Sequence, residues 1–395
     1  MCSISREMRR GRDMRSRESV AGNTSRKNNK IVVLLLLFPS LLISLFLSIK
    51  ILPAKYYFDN TRILSMVTKN GAMEAWAGSY QTVANIFSFL DVFKLSTLSQ
   101  WRILLCTIFM IVFALLVLYA SGPNTIESFY ILASYALLNI YVFNIGKDII
   151  QFCIFLAVAI VLVIPSKKYV WKEIAAILIL FSESLFFRDY YILVAVLVAF
   201  SIYVLERLYS SLKKGELSNR VVLARALFFV LGFVFVLMVV LFVVSHAMYT
   251  QVAAVRYITN DSRTGSANAN SVINDWILPS QRNSNPILFI LNYFINTIRM
   301  MIPVELLFKG ATYLPFCFFQ TFTLYLLIKA IKICLNNSTH AQRILLSVFI
   351  GYFLASAFFE PDFGSWVRHE IAVFPILLFI ILPPANIRQS AVNAQ

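Results

Sequence analysis

The chain has 395 residues, of which 59% are hydrophobic and 14% are charged, and its mean hydropathy is +0.75. Long apolar runs without charge are typical of membrane spans, so this composition excludes a soluble globular domain. The net charge of +16 does not indicate nucleic acid binding, because the basic residues lie in clusters between the hydrophobic runs. Such clusters are typical of loops on the cytoplasmic side of a membrane.

The first 30 residues form a basic segment, with nine Lys or Arg and three acidic residues. Little apolar periodicity occurs here, which predicts a disordered cytoplasmic arm over residues 1–30. The apolar run Ile31–Leu52 is longer than the 7–15 residue core of a signal peptide, and no small-x-small cleavage site follows it. We therefore interpret it as an uncleaved first span whose N-terminal end faces the cytoplasm.

The rest of the chain predicts an all-α polytopic integral membrane protein with about ten transmembrane helices in one domain, residues 31–385. Long outside segments are expected at about 53–100 and 246–312, a short outside loop at 360–370, and a cytoplasmic tail at 386–395. Both termini are then cytoplasmic. After the first run, the predicted spans are Trp101–Ala120, Phe129–Phe143, Ile149–Ile164, Ile174–Phe187, Ile192–Leu205, Val221–Ser245, Tyr313–Ile328, Ile344–Phe359 and Ile371–Leu382.

The apolar run Ile287–Leu307 poses a question of topology. Counting it as a span places the basic stretch Lys329–Arg343 outside, against the positive-inside rule. Its residues Asn292, Asn296 and Arg299 recur at i, i+4 and i+7, which gives a polar helix face that lipid disfavours. We therefore predict an amphipathic or re-entrant helix at the outer face, which ends before Pro303 in the same run.

With this topology, the ionisable groups that are not orientation signals fall on the outer side, in a polar and largely cationic chamber. Transporters tend to have polar groups near the midplane of the bilayer, so a one-sided site favours chemistry at the outer leaflet. These groups are Asp59, Arg62, Lys147, Asp148, Glu183, Arg188, Asp189, Arg299, Glu305 and the polar segment Glu360–Glu370.

Several Arg and Lys residues at a membrane surface suit a lipid diphosphate, because guanidinium groups bind phosphate bidentately. Transfer of a sugar from such a carrier requires neutralisation of the leaving diphosphate, and a carboxylate or His that accepts the proton of the acceptor hydroxyl. The predicted catalytic residues are Glu370, His369, Asp362 and Arg368. The predicted residues for binding diphosphate and glycan are Arg299, Arg188, Lys147, Arg62, Glu305 and Asp189.

Several motifs resemble those of the Wzy-type repeat-unit polymerases of bacterial O-antigen and capsule synthesis, especially the EpsG-related branch. They are E-P-D-F-G-S-W-V-R-H-E before a span with Pro375, I-R-M-M-I-P-V-E-L-L at Ile298–Leu307, and the span ends N-I-G-K-D and F-R-D-Y-Y. The resemblance implies a GT-C-like enzyme of the bacterial inner membrane. It would transfer the growing glycan from undecaprenyl diphosphate to an incoming lipid-linked unit at the periplasmic face, with a flippase and a chain-length regulator as further partners.

Other functions fit parts of the pattern. A lipid-linked oligosaccharide flippase also needs a cationic chamber, and a membrane O-acyltransferase would use a His such as His246 or the Arg368-His369 pair. A scaffold of an export complex and a lipid A-core ligase are further alternatives. The first outside segment has no acidic-x-acidic pair, and a single such pair, Glu360-Pro361-Asp362, occurs in the last loop. We therefore expect chemistry without a metal or another cofactor.

Overall fold

The computed structural model describes residues 2–68, 78–165, 169–188, 191–215, 218–247, 249–250, 271–278, 285–385 and 387, with most side chains described from Thr24 onward. In these ranges the chain is helical and forms no strand. A single antiparallel bridge joins Val272 to Asp362. The predicted all-α fold is therefore confirmed.

Fourteen α-helices have both ends within the described residues. Short π-helical turns extend α1 to Ile51 and α5 to Val142. The helices are α1 (Cys2–Phe46), α2 (Phe58–Thr68), α3 (Ser79–Leu90), α4 (Leu98–Tyr119), α5 (Thr125–Leu137), α6 (Lys147–Val163), α7 (Tyr169–Phe186), α8 (Tyr191–Lys213), α9 (Asn219–Val244), α10 (Pro286–Met301), α11 (Leu314–Asn337), α12 (His340–Phe359), α13 (Phe363–Ala372) and α14 (Phe374–Ile381).

Seven described helices are long and apolar enough to cross a membrane: α1, α4, α5, α8, α9, α11 and α12. Helices α13 and α14 would add an eighth span, bent by 67° at their junction. Large apolar side chains point outward along these helices, for example Leu35 at 71% exposed and Phe228 at 74%. Such an exterior suits lipid, so a polytopic membrane protein is confirmed.

The number of candidate spans is smaller than the ten predicted. Helix α6 has 17 residues, and α7 contains the charged residues Lys172, Glu173 and Glu183, so neither is among the candidates in the described chain. Helix α10 has 16 residues and is also outside that set. The amphipathic or re-entrant helix at the outer face stays a prediction, because its length alone excludes α10 from the candidates.

Two segments differ from the sequence-based expectation. Helix α1 begins at Cys2, whereas residues 1–30 were predicted to be disordered. This segment has no proline, so nothing in its covalent structure stops the first span from continuing upstream. The predicted loop at 360–370 is mostly helical, because Asp362 accepts a hydrogen bond from the backbone N–H of Ser365 and caps α13.

Basic side chains stabilise several helix ends on one side of the bundle. Lys30 donates to the carbonyls of Leu118 and Ala120 at the end of α4, at 2.5 and 2.7 Å. Lys172 donates to Leu162 at the end of α6, at 3.0 Å. Cations are favourable at helix C-termini because the carbonyls there lack helical partners. These lysines belong to the clusters that the sequence interpreted as orientation signals.

Helix α12 is the most enclosed of the candidate spans, with 78% of its span buried. It packs along α8, where Gly351 lies against the backbone of Val198. A Cβ at position 351 would be 2.6 Å from the Val198 nitrogen, so only glycine permits this close approach. The C-terminal end of α12 is thereby fixed against the start of α8, which positions the residues described next.

Candidate functional site

Charged side chains from four parts of the chain meet where α12 ends and α13 begins. Asp59 comes from α2, Lys147 and Asp148 from the start of α6, and Arg188 from the segment after α7. Glu360, Arg368 and His369 come from the end of α12 and from α13. We call these seven residues the charged cluster. Residues far apart in sequence thus converge at one site, which the one-sided charge pattern predicted.

Asp148 lies at the centre of the charged cluster and is 7% exposed. Its carboxylate lies 3.0 Å from Nε of Arg368, 3.9 Å from Nη2 of Arg188 and 3.3 Å from Nε2 of His369. A buried carboxylate requires such cationic partners, because burial strongly disfavours its charged form. Asp148 therefore holds these three groups together around one point.

His369 is fixed through both ring nitrogens. Its Nδ1 is hydrogen-bonded to Glu360, and its Nε2 faces Asp148. The hydroxyl of Tyr352 donates to the backbone carbonyl of His369 at 3.4 Å. A carboxylate on one imidazole nitrogen sets the tautomer and leaves the other nitrogen for proton exchange. The geometry therefore makes Nε2 the atom of His369 that can exchange a proton at this site.

Asp59 extends the charged cluster toward α3. Its carboxylate lies 3.5 Å from Lys147 Nζ and 4.0 Å from Arg368 Nη2, and it accepts a 2.7 Å hydrogen bond from Tyr80. Burial raises the pKa of Asp59, but Lys147 and Arg368 outweigh it and hold the pKa below its ordinary value. Burial and the Asp59 carboxylate together raise the pKa of Tyr80. Asp59 is therefore ionised and Tyr80 protonated at neutral pH.

Two uncharged residues, Gln151 and Tyr352, hold Arg188 in place through successive hydrogen bonds. Its Nη1 donates to Gln151 at 3.2 Å, and the amide of Gln151 donates to the Tyr352 hydroxyl at 2.5 Å. Gln151 is fully buried, one helical turn after Lys147 and Asp148. This face of α6 therefore lies against α12.

The charged cluster is balanced rather than largely cationic. Lys147, Arg188 and Arg368 supply three positive charges, and three carboxylates from Asp59, Asp148 and Glu360 face them. The sequence indicated a cationic chamber because it counted charges without showing their pairing. In the structure the cations are held in place by carboxylates, which reduces the cost of burying them.

The predicted catalytic residue Glu370 lies apart from the charged cluster. It is fully buried on another face of α13, where Gln320 of α11 donates to its carboxylate at 3.2 Å. His369 faces Asp148, whereas the next residue, Glu370, points to α11. Asp362, also predicted to be catalytic, accepts hydrogen bonds from the Ser365 N–H at 2.7 Å and the Ser365 hydroxyl at 3.0 Å. Its observed contacts are those of a helix cap.

Arg299 and Glu305, predicted to bind substrate, form a closed pair at the end of α10. Nε and Nη2 of Arg299 donate to the two oxygens of Glu305, both at 2.7 Å. Nη1 donates to the Asn274 carbonyl at 2.5 Å and to Asn296 at 2.7 Å. Every nitrogen of this guanidinium thus has a protein acceptor. The contacts fasten α10 to residues 274–277, and Asn292 adds two hydrogen bonds to Ile277.

Two further predicted substrate-binding residues are Arg62 and Asp189. Arg62 stacks over the Phe58 ring, with its guanidinium carbon 4.8 Å from the ring centroid. Asp189 lies outside the described residues. Within the described chain, no group of three or more His, Cys, Asp or Glu side chains is arranged to hold a metal ion.

Sequence reasoning assigned no role to several residues that the structure brings into or against the charged cluster. Tyr352 and Tyr80 carry no charge and lie in apolar or mixed segments, so nothing in the sequence singles them out. Asp59, Asp148 and Glu360 were noted as outer-side charges without a role. No protein-family model, curated protein or solved structure matches this chain significantly.

Proposed function

We propose that the chain is a polymerase of undecaprenyl-diphosphate-linked oligosaccharide repeat units. It would transfer the growing glycan from its lipid diphosphate to an acceptor sugar hydroxyl. The observation that carries the proposal is the charged cluster, which gathers three cations and a carboxylate-bound histidine at one end of a membrane helix bundle. A lipid substrate presents its diphosphate at this depth while its chain remains in the bilayer.

The cations of the charged cluster suit the leaving group. When the bond between the anomeric carbon and the diphosphate oxygen breaks, negative charge develops on the diphosphate, and fixed cations stabilise it. Arg368 contacts Asp148 through Nε, whereas its Nη2 lies 4.0 Å from Asp59, beyond hydrogen-bond range. The terminal nitrogens of Arg368 can therefore turn to a phosphate, with Arg188 and Lys147 close by.

The histidine suits the proton transfer. The acceptor hydroxyl oxygen forms the new bond to the anomeric carbon as the bond to the diphosphate breaks, and its proton passes to the adjoining pair of His369 Nε2 and the Asp148 carboxylate. The imidazolium that results is stabilised by Glu360 at Nδ1 and by Asp148 beside Nε2. Glu360 thus acts as a positioning residue, and the same proton can return to solvent or to the diphosphate after the product leaves.

The proposed location is the bacterial inner membrane, with the charged cluster on the periplasmic side and both termini in the cytoplasm. Basic side chains at the opposite end of the bundle support this orientation, because cytoplasmic loops carry an excess of Lys and Arg. Proposed partners are the undecaprenyl-diphosphate oligosaccharide, membrane lipid, a flippase and a chain-length regulator. No cofactor is part of the proposed reaction.

The proposal is tested by deleting the gene in its host and analysing surface glycans and the lipid-linked pool by electrophoresis. Loss of the long-chain ladder, with single repeat units still reaching the outer face, is the expected result. Complementation with the wild-type gene should restore the ladder, and complementation with Arg368→Ala should not. Arg207→Ala changes an exposed arginine and serves as the control, so it should restore the ladder as wild type does. Membrane levels of each variant are compared by immunoblot.

Accumulation of single units on the inner face alone would contradict the proposal and favour a flippase. An unchanged ladder with loss of acyl groups would favour an O-acyltransferase. An unchanged ladder in the Arg368→Ala strain, at wild-type protein level, would remove the charged cluster from the reaction even if the deletion strain lacks polymer.

A further inference from the structure

An apolar cavity of about 470 Å³ lies among α8, α9, α10, α11 and α12. Its volume falls in the range of about 300–1,000 Å³ that is typical of ligand sites. The surface that faces the cavity is apolar, so water and polar head groups gain no hydrogen bonds there. Lining residues include Val230, Phe294, Met301, Leu327, Phe349 and Phe353.

Helix α10 covers this cavity with its apolar face. Its opposite face is fastened by Arg299 and Asn292 to residues 274–277. Ile298 and Ile302 line the cavity and yet remain 61% and 44% exposed. One edge of the cavity therefore opens at the lateral surface of the bundle, where bilayer lipid surrounds the spans. An apolar chain can reach the cavity from the bilayer without crossing polar surface.

The cavity borders the middle of α12. Its lining includes Leu346 and Leu354 of this helix, eight residues apart, which corresponds to about 12 Å at 1.5 Å per residue. A further six residues lead from Leu354 to Glu360, or about 9 Å. Phe353 of the lining packs on Trp366 of α13 with ring centroids 5.3 Å apart, and α13 carries Arg368. The cavity and the charged cluster thus border the same helix, about 9 Å apart along it at their nearest ends.

We propose that this cavity binds the polyisoprenyl chain of the lipid substrate whose diphosphate is held by the charged cluster. The proposal rests on the proposed function for its choice of lipid. An ordinary phospholipid chain satisfies the apolar lining equally, but only a molecule with a phosphate-bearing head at the charged cluster uses both regions at once. The apolar lining and the lateral opening suit an apolar chain that enters from the bilayer rather than a polar ligand.

The test uses the purified full-length protein in nanodiscs and a polyisoprenyl diphosphate with a photoreactive diazirine on its chain. A phosphatidylglycerol with the same group on an acyl chain is the comparison probe. Labelled positions are mapped by mass spectrometry. We expect the polyisoprenyl probe to label cavity residues of α11 and α12, and unlabelled polyisoprenyl diphosphate, but not phosphatidylglycerol, to displace it.

A matched pair of variants sharpens the test. Ala226→Phe places a ring in the cavity and should reduce polyisoprenyl labelling by about tenfold or more, because overfilling a packed site costs about 1–3 kcal/mol. Ala224→Phe makes the same change at an exposed position of the same helix and should leave labelling unchanged. Thermal unfolding of both variants verifies that the fold is retained.

Equal labelling by both probes, without displacement by the polyisoprenyl lipid, would overturn the proposal and assign the cavity to bulk phospholipid. The proposal would also be overturned if Ala226→Phe did not reduce labelling by the polyisoprenyl probe. The outcome is separable from the polymerase proposal. Specific labelling of the cavity in a protein whose deletion leaves the glycan ladder intact would refute the polymerase and retain the chain-binding site.

Discussion

Two groups of charged residues, each containing a histidine, lie near opposite ends of α12. One is the charged cluster, and the other, the His340 group, consists of His340, Arg343, Glu173 and Glu206. His340 contacts Glu173 of α7 at 2.6 Å and Glu206 of α8 at 3.0 Å. Arg343 donates to both oxygens of Glu206, at 2.6 and 2.9 Å, and to the Ser338 carbonyl at 3.1 Å. This arginine directs all three guanidinium nitrogens to protein acceptors. The His340 group thus joins α7, α8 and α12.

The charged cluster leaves more of its polar atoms available. Arg368 makes one close contact to a carboxylate, from Nε to Asp148, and its Nη2 is 4.0 Å from Asp59. One oxygen of Glu360 is buried without a hydrogen-bond partner among the described residues. Unmade hydrogen bonds of buried charged groups cost free energy, and a ligand can make them. Comparison of the two groups thus separates an arginine whose three nitrogens all contact protein acceptors from one that makes a single close carboxylate contact.

The largest expected effect distinguishes the arginines of the two groups. Arg368→Ala should lower polymer formation by roughly 100- to 1,000-fold, the usual effect of removing one donor to a developing anion. Arg368→Lys should restore only part of the activity, because a point charge does not replace the guanidinium fork. Arg343→Ala should retain polymer formation in proportion to the folded protein that remains. Glycan ladders, normalised to protein in the membrane, measure all three variants.

The histidines provide the second test. His369→Gln removes the proposed proton acceptor and should lower the transfer rate by roughly 100-fold or more, with little change in substrate KM. His340→Gln should leave the rate of the folded protein nearly unchanged and lower its Tm, because α7 and α8 lose a contact to α12. Equal loss of rate in both variants, at equal protein levels, would erase the distinction between the groups.

Arg299 offers a third test, because the sequence interpreted it as a diphosphate ligand and its contacts are those of an anchor. Arg299→Ala leaves Glu305 without its partner and should destabilise the protein by on the order of 3 kcal/mol. Arg299→Ala combined with Glu305→Ala should recover part of this loss in a double-mutant cycle of thermal unfolding. If Arg299→Ala were as stable as wild type and yet formed no polymer, Arg299 would be assigned a direct role in binding.

The smallest expected effect concerns pH. Lys147 and Arg368 hold the pKa of Asp59 below its ordinary value of 3.8, so ionised Asp59 stabilises the folded state above that value. This contribution is lost as the pH falls through the lower pKa of the folded state. Asp59→Asn should therefore lower Tm at pH 6 to 8 and make Tm less sensitive to pH below about 4. A constant difference in Tm down to pH 2 would contradict this.

Some of the site was predictable from the sequence and some was not. Arg368 and His369 were identified because ionisable residues between two apolar runs require a wet or paired environment. The directions of their side chains could not be predicted. Adjacent residues such as His369 and Glu370 look equivalent in a predicted loop, but they point to different partners once Asp362 caps a helix there. Arg299 was predicted to bind a ligand, and the structure shows that each of its guanidinium nitrogens has a protein acceptor. A sequence does not show which acceptors an arginine already has.

The sequence by itself determined the membrane class, the helical architecture and the concentration of charge at a few helix ends, because hydrocarbon admits only helices or closed barrels and excludes unpaired charge. Only the tertiary structure decided which charges meet. It brought Asp148 between Arg368 and His369, closed the Arg299 pair, and left an apolar cavity beneath α10. These features depend on contacts between helices far apart in the chain, and no local pattern of residues encodes such contacts.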